Sequence, residues 1–164
     1  MADQHLTKEI LNFLFDYKDG QLIWKFTLGS KSPKGSVAGS LRHDGYIKVG
    51  ISGKNYLIHR LIFMWHHGYF PQIVDHIDGN NKNNRIENLR PATNAENCQN
   101  QKLPKDNTSG YKNVSWNKLK RRWVVSLRIN KTIKNFGYFK DLELAELVAQ
   151  EARTKYHKEF ASHS

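Results

Sequence analysis

The chain has a single cysteine, Cys98. One thiol excludes an intrachain disulfide and any cysteine-rich structural zinc site, and Cys98 is expected as a small buried filler in a helix. Long apolar runs are also missing: none approaches the ~20 residues needed to cross a bilayer. The opening Met-Ala-Asp-Gln-His-Leu-Thr-Lys-Glu lacks the charged-then-apolar profile of a signal peptide, so an intracellular, cytoplasmic protein is expected. Acidic residues are scarce, with 15 Asp and Glu against 26 Lys and Arg and a formal net charge of +11. Between Lys112 and Lys140 there are nine basic residues and no acidic one. Such an excess draws polyanions, with nucleic acid the default partner. An anionic membrane surface is disfavoured because this basic segment reads as strands and not as an amphipathic helix.

What is present is enough apolar and aromatic material for two small cores. The chain has 164 residues, 38% hydrophobic, with 4 Trp, 7 Tyr and 8 Phe. Lys8–Tyr17 carries apolar residues at helical spacing. The Asp19-Gly20 turn signal leads into the alternating stretch Gln21–Thr27, a strand pattern. Leu28–Ser36 reads as a loop, Tyr46–Ile51 as a strand, and Ser52-Gly53-Lys54-Asn55 as a hairpin turn. Arg60–His67 reads as a helix ended by Gly68 and Pro71. From Ile73 the order changes to a short strand (Ile73–Ile77), a polar loop (Asp78–Arg85), a second short strand (Ile86–Leu89) and a helix from Asn94 to about Gln101. Thr93 and Glu96 supply that helix with a capping box.

Linker composition separates the two halves. Residues 1–102 form one expected domain, with a ββα core at about 73–102; 103–109 is the linker and 110–164 a second domain. The second domain reads as strands Lys112–Trp116, Trp123–Asn130 and Ile133–Phe139, then a helix over Leu142–Phe160. The fold class is therefore α+β, ending in a three-stranded antiparallel sheet with one packed helix.

Chemistry concentrates between Val74 and Asn100. Asp75 offers a carboxylate oxygen and Asn97 a carbonyl oxygen, which suit Mg²⁺ or Mn²⁺ with water and phosphate completing the shell. Adjacent strand residues point to opposite faces, so His76 can serve a separate task from Asp75. An imidazole with a pKa of about 6.5 is suited to act as general base at neutral pH.

These residues sit in Val74-Asp-His-Ile-Asp-Gly-Asn80, Asn83-Asn-Arg-Ile-Glu-Asn-Leu-Arg90 and Ala92-Thr-Asn-Ala-Glu-Asn97. The pattern resembles the HNH endonuclease family, in particular its phage and intron homing-type branch. The resemblance implies a ββα-metal (His-Me finger) nuclease domain. It makes His76 the catalytic base, Asn88 the residue that braces the loop and orients the histidine, and Asp75 and Asn97 the metal ligands. His59 and Arg60 precede the motif as phosphate or structural contacts. His66 and His67 are expected to be structural or at the surface, and Asn80, Asn81, Asn83 and Asn84 to form a loop without catalytic duty. The CxxC pairs of zinc-stabilised members are absent. If the chain is phage-encoded, its compartment is the host cytoplasm.

Gly110–Trp116, Arg122–Arg128, Phe136–Phe139 and Ala145–Phe160 resemble the apetala-type, or ethylene-response-factor-type, DNA-binding domain. That resemblance implies a three-stranded sheet lying in the major groove of double-stranded DNA, backed by the helix. Alternation puts Trp123, Val125, Leu127 and Ile129 toward the helix, and Arg122, Val124, Ser126 and Arg128 outward. Lys112, Arg122, Ser126, Arg128 and Lys134 are the candidate DNA contacts. Arg128 suits either guanine or phosphate, and Trp116 either the core or DNA.

The combined expectation is hydrolysis of DNA phosphodiesters with one divalent metal. The alternatives are a non-catalytic DNA-binding regulator that keeps the nuclease fold as a scaffold, and an RNA-binding protein. One site per chain fits nicking; paired cuts need a homodimer or sequential events, and monomer and dimer stay open.

Overall fold

The computed structural model describes residues 6–100, 103 and 107–157, without the side chains of residues 99 and 100. The chain divides into two compact units, Met1–Asn94 and Ala95–Ser164. The division falls eight residues before the end expected for the first domain at 102, because the helix after Asn94 clusters with the second unit. Most of the expected linker lies outside the described residues.

The first unit opens with α1 (Lys8–Leu14), whose N-terminal N–H of Ile10 is capped by the Thr7 hydroxyl at 3.4 Å. The helix stops three residues short of Tyr17. Phe15 turns extended, with φ −131°, and Phe15–Lys18 becomes strand β1, paired antiparallel with β2 (Gln21–Trp24). Phe15 and Tyr17 alternate with Asp16 and Lys18, so the segment fits either period, and pairing with Trp24 and Leu22 decides for the strand. The connecting residues Asp19 (φ 49°) and Gly20 (φ 82°) both take the left-handed conformation of a two-residue hairpin turn.

Strands β3 (Ser40–Leu41), β4 (Ile47–Ile51) and β5 (Lys54–Leu57) form a second antiparallel sheet. Helix α2 (Ile58–His67) follows directly, two residues earlier than its apolar pattern suggests, and ends at a left-handed Gly68 whose N–H bonds to the Met64 carbonyl. Its Ile58, Leu61, Ile62 and Phe63 are buried with Leu11, Phe15, Leu22 and Trp24 in one core. Each such burial is worth ~1.5–3 kcal/mol.

Strand β6 (Ile73–His76) pairs antiparallel with β7 (Leu89–Ala92). The second strand is displaced from the expected Ile86–Leu89. Ile86–Asn88 instead makes one 3-10 turn, because the Asn88 side chain is drawn into the preceding loop. Pro91 is tolerated because this sheet has only two strands.

Helix α3 (Asn94–Asn100) starts at the boundary. Gln101, its expected end, lies outside the described residues. Cys98 is exposed and not buried: the helix around it, Asn-Ala-Glu-Asn-Cys, has no apolar stripe to pack.

In the second unit β8 (Val114–Asn117), β9 (Arg122–Ile129) and β10 (Thr132–Phe139) form an antiparallel sheet in the order β10-β9-β8. The first strand begins two residues late because Asn113 is left-handed (φ 66°). Asn130 and Lys131 (φ 49° and 68°) make the tight turn into β10. Helix α4 (Leu142–His157) is capped where the Asp141 carboxylate accepts from the Leu144 N–H at 2.8 Å. Residues 158–160 of the expected helix lie outside the described residues. Ala145, Ala149 and Ala152 bring the helix onto Val114, Val125 and Leu127. Ser109 is also fixed to this unit, its hydroxyl donating to the Val114 carbonyl at 2.8 Å. Among the described residues no helix is long and apolar enough to cross a membrane.

Candidate active site

Pairing of β6 with β7 places Asp75 directly opposite Arg90. Asp75 Oδ2 accepts from Arg90 Nε at 3.0 Å and from Nη2 at 2.9 Å, and both side chains are largely buried. Two donors on one oxygen fix the carboxylate's orientation. The next residue, His76, is 3% exposed, and its Nε2 lies 2.9 Å from Oδ1 of the equally buried Asn84. The two neighbours on β6 thus serve different partners, although both are buried.

His59, in the first turn of α2, meets the His76 ring edge-on at 4.9 Å between centroids. Tyr46 lies 5.2 Å from His59 and 6.0 Å from His76. Burial, then the neighbouring His76 and Arg60, push His59 down to about 3, so it is neutral at physiological pH. Burial, with Asp44 and Asp75 nearby, raises the Tyr46 phenol.

The polar loop between the strands is an asparagine network. Asp78 accepts from the Asn80 N–H at 2.8 Å, from Asn88 Nδ2 at 2.9 Å and, through Oδ2, from Asn83 Nδ2 at 2.7 Å. Burial alone would raise the Asp78 carboxyl, but the hydrogen bonds from Asn83, Asn80 and Asn88, with His76 nearby, leave it below its ordinary value. Asn88 also donates to the Asn83 carbonyl at 2.8 Å and accepts from the Asp78 N–H at 3.0 Å.

Asn88 was expected to brace the loop and to orient His76. Its side chain is engaged with the loop, and the amide that meets the imidazole belongs to Asn84. Sequence reasoning passed over Asn84. Four asparagines in one polar loop look alike, and only tertiary contact picks out the one that is buried.

Arg60 donates to the carbonyls of Gln72 and Pro71, each at 3.2 Å, and lies over the Phe70 ring. These bonds tie α2 to the segment leading into β6, a structural contact. His66 packs edge-on against Tyr17 at 4.6 Å. Asn97 is half-buried on α3, in the second unit; the first unit by itself assembles Asp75 and His76.

In the second unit Arg122, Ser126 and Arg128 share the outer sheet face, away from Val125 and Leu127. Lys112 and Lys134 do not join them. Among the described residues the Lys112 ammonium is buried without a hydrogen-bond partner, and burial together with nearby Arg153 lowers it. Lys134 stands opposite Leu127 in the register, on the helix side, where it donates to the Tyr156 hydroxyl at 3.2 Å. Trp116 meets Trp123 edge-on at 4.9 Å on that same side while staying 43% exposed. An outer-face residue missed in the sequence is Tyr138, whose ring carries the Lys120 ammonium 3.7 Å from its centroid.

A family profile described as HNH endonuclease matches residues 56–99, from β5 through α3. The chain belongs to the HNH endonuclease family. Among curated proteins it is similar to Protein 3.8 of Escherichia phage T7, 41% identical over 96 residues, which cover 57% of this chain and 74% of that protein. No solved structure matches significantly. The family match leaves the β1–β2 hairpin and the second unit's sheet outside it.

Proposed function

We propose that the chain is a DNA endonuclease in which His76 acts as general base on the attacking water. The observation that carries this reading is the pair of adjacent buried groups on β6, an imidazole held by an amide and a carboxylate held by a guanidinium, inside the segment that matches the HNH family. HNH nucleases generally use a divalent metal. Among the described residues no group of three His, Cys, Asp or Glu side chains is placed to hold a metal ion. One carboxylate does fit a hard, hydrated cation such as Mg²⁺ or Mn²⁺, which keeps several waters and binds substrate phosphate. Asp75 is the donor in the first unit, and resemblance assigns Asn97 as the second oxygen ligand. When bound, the cation supplies charge stabilisation to the phosphate and the leaving oxygen.

The second unit is proposed to hold double-stranded DNA through the outer face of its sheet, with Arg122, Ser126 and Arg128 as contacts. The supporting observations are a three-stranded sheet backed by one helix, as in the ethylene-response-factor-type domain, and a stretch rich in basic residues without a carboxylate.

Cleavage of supercoiled plasmid in Mg²⁺ or Mn²⁺ tests the reading. His76→Ala is expected to lower the rate ~10²–10⁴-fold. Cleavage by His76→Ala at the wild-type rate overturns the assignment of the base, and intact plasmid with wild-type protein under both metals overturns the nuclease.

A further inference from the structure

We infer that Asn84 is the positioning residue that sets the tautomer of His76, and that the β1–β2 hairpin holds Asn84 in place. The functional consequence rests on the reading of His76 as the base. A carboxamide oxygen can only accept, so the 2.9 Å contact between His76 Nε2 and Asn84 Oδ1 requires the proton on Nε2. The basic lone pair of the neutral ring is then on Nδ1. An imidazole without that acceptor distributes its proton between the two nitrogens, and only one tautomer presents Nδ1 as the base.

Both groups are 3% exposed, so the bond is shielded from competing water. Asn84 stands apart from the Asp78–Asn80–Asn83–Asn88 network that closes the rest of the loop. What locates it comes from outside the family match. A Cβ on Gly20, at the tip of the β1–β2 turn, would lie 2.8 Å from the Asn84 carbonyl carbon and 2.7 Å from the Arg85 nitrogen. These are backbone atoms that cannot swing aside, so glycine is needed for the close approach as well as for its φ of +82°. On the same hairpin, the Tyr17 hydroxyl accepts from the Ile86 N–H at 3.1 Å. The hairpin thus fixes the backbone at 84–86, and that backbone aims the amide at the imidazole. The first two strands thereby act on the reacting histidine through Asn84.

The experiment uses the full chain. Imidazole ¹⁵N shifts in alkaline buffer, where the ring is neutral, report the tautomer, and plasmid cleavage reports kcat and KM. In wild type His76 is expected as a single form protonated on Nε2. Asn84→Ala should give a mixture of tautomers and a kcat lower by roughly 10–100-fold, with KM little changed. Asn84→Asp keeps an acceptor oxygen and should restore the single tautomer. Tyr17→Phe keeps the ring and removes the acceptor for Ile86; it is the milder variant if Asn84→Ala does not fold, and should move tautomer and kcat in the same direction by less.

An unshifted Nε2-protonated ring in folded Asn84→Ala overturns the role of Asn84. Wild-type tautomer and kcat in Tyr17→Phe overturn the role of the hairpin. A tautomer shift in a protein that never cuts DNA supports the positioning and sinks the base, whereas an unshifted tautomer in one that cuts does the reverse.

Discussion

The two units treat their buried charged groups differently. In the first, the buried carboxylate of Asp75 has the Arg90 guanidinium, and buried His76 has the Asn84 amide. In the second, the Lys112 ammonium and Arg153 Nε are buried without hydrogen-bond partners among the described residues. Among the described residues Arg153 is held by a single hydrogen bond, from Nη1 to the Lys112 carbonyl at 2.7 Å. The first unit also has unpaired buried nitrogens, on Trp65 and His66, but they lie outside the Asp75–His76 site. Paired burial locks side chains into one geometry, which suits groups that must meet a reacting atom. Unpaired burial locks nothing. On the proposed reading, the second unit's contacts to DNA lie instead on the exposed sheet face, where Arg122 and Arg128 stand.

The comparison is tested most severely by removing one cation from each unit. Arg90→Met takes the guanidinium away from a buried carboxylate and is expected to cost ~3–5 kcal/mol in urea unfolding. Arg153→Met removes a buried charge that feels the Glu146 carboxylate but forms no salt bridge among the described residues, replaces it with apolar volume and forfeits one hydrogen bond. Its stability should stay within ~1 kcal/mol of wild type, or rise. Equal losses from the two substitutions would abolish the distinction between the units.

A smaller effect follows from the buried histidines. His59 is pushed down to about 3 while its unfolded counterpart titrates near the ordinary value of about 6.5. Between those limits the unfolded chain binds more protons, so stability rises with pH. The stabilisation is fully present above about 6.5 and is lost as pH falls toward 3. His59→Gln should flatten this slope in urea midpoints measured across the window; an unchanged slope would remove His59 as its source. Burial lowers His157 in the second unit too, then Arg153 adds to the shift, against an opposing hydrogen bond to the Arg128 backbone. Its contribution runs in the same sense.

How far the sequence disclosed this arrangement depended on whether a signal was local. Asp19-Gly20, Ser52-Gly53 and Gly68 announce turns because their backbone conformations admit few residue types. The alternation of Trp123, Val125, Leu127 and Ile129 shows which face of β9 meets the helix. Asp75 and His76 stand out because a carboxylate beside an imidazole carries evident chemistry. Phe15–Lys18 was hidden because its apolar residues fit helix and strand alike until Trp24 pairs with Phe15. Ile86–Asn88 was hidden because the loop's demand on Asn88 overrides a strand-forming isoleucine. Asn84 was hidden among three similar neighbours, since its burial comes from residues as distant in sequence as Gly20. Lys134 looked like an outer-face residue because charge does not reveal which face of a strand a residue occupies.

Lys134 also supplies the finest test of the second unit, because it carries the same charge as Arg128 on the other face of the same sheet. Each basic residue that neutralises a phosphate contributes about 0.9 to the slope of log affinity against log salt. Arg128, exposed on the outer face opposite Ile133 in the register, should on removal to Ala reduce that slope by about one and weaken DNA binding at low salt. Lys134→Ala lowers the net charge equally, but its ammonium is bonded to Tyr156 on α4 and sits 5.0 Å from that ring's centroid, so the slope should stay at the wild-type value. If the slope instead follows net charge, with both variants losing the same amount, the unit attracts DNA as a diffuse cation and the outer face has no special role. A loss confined to Arg128 ties binding to the sheet face that the helix leaves open.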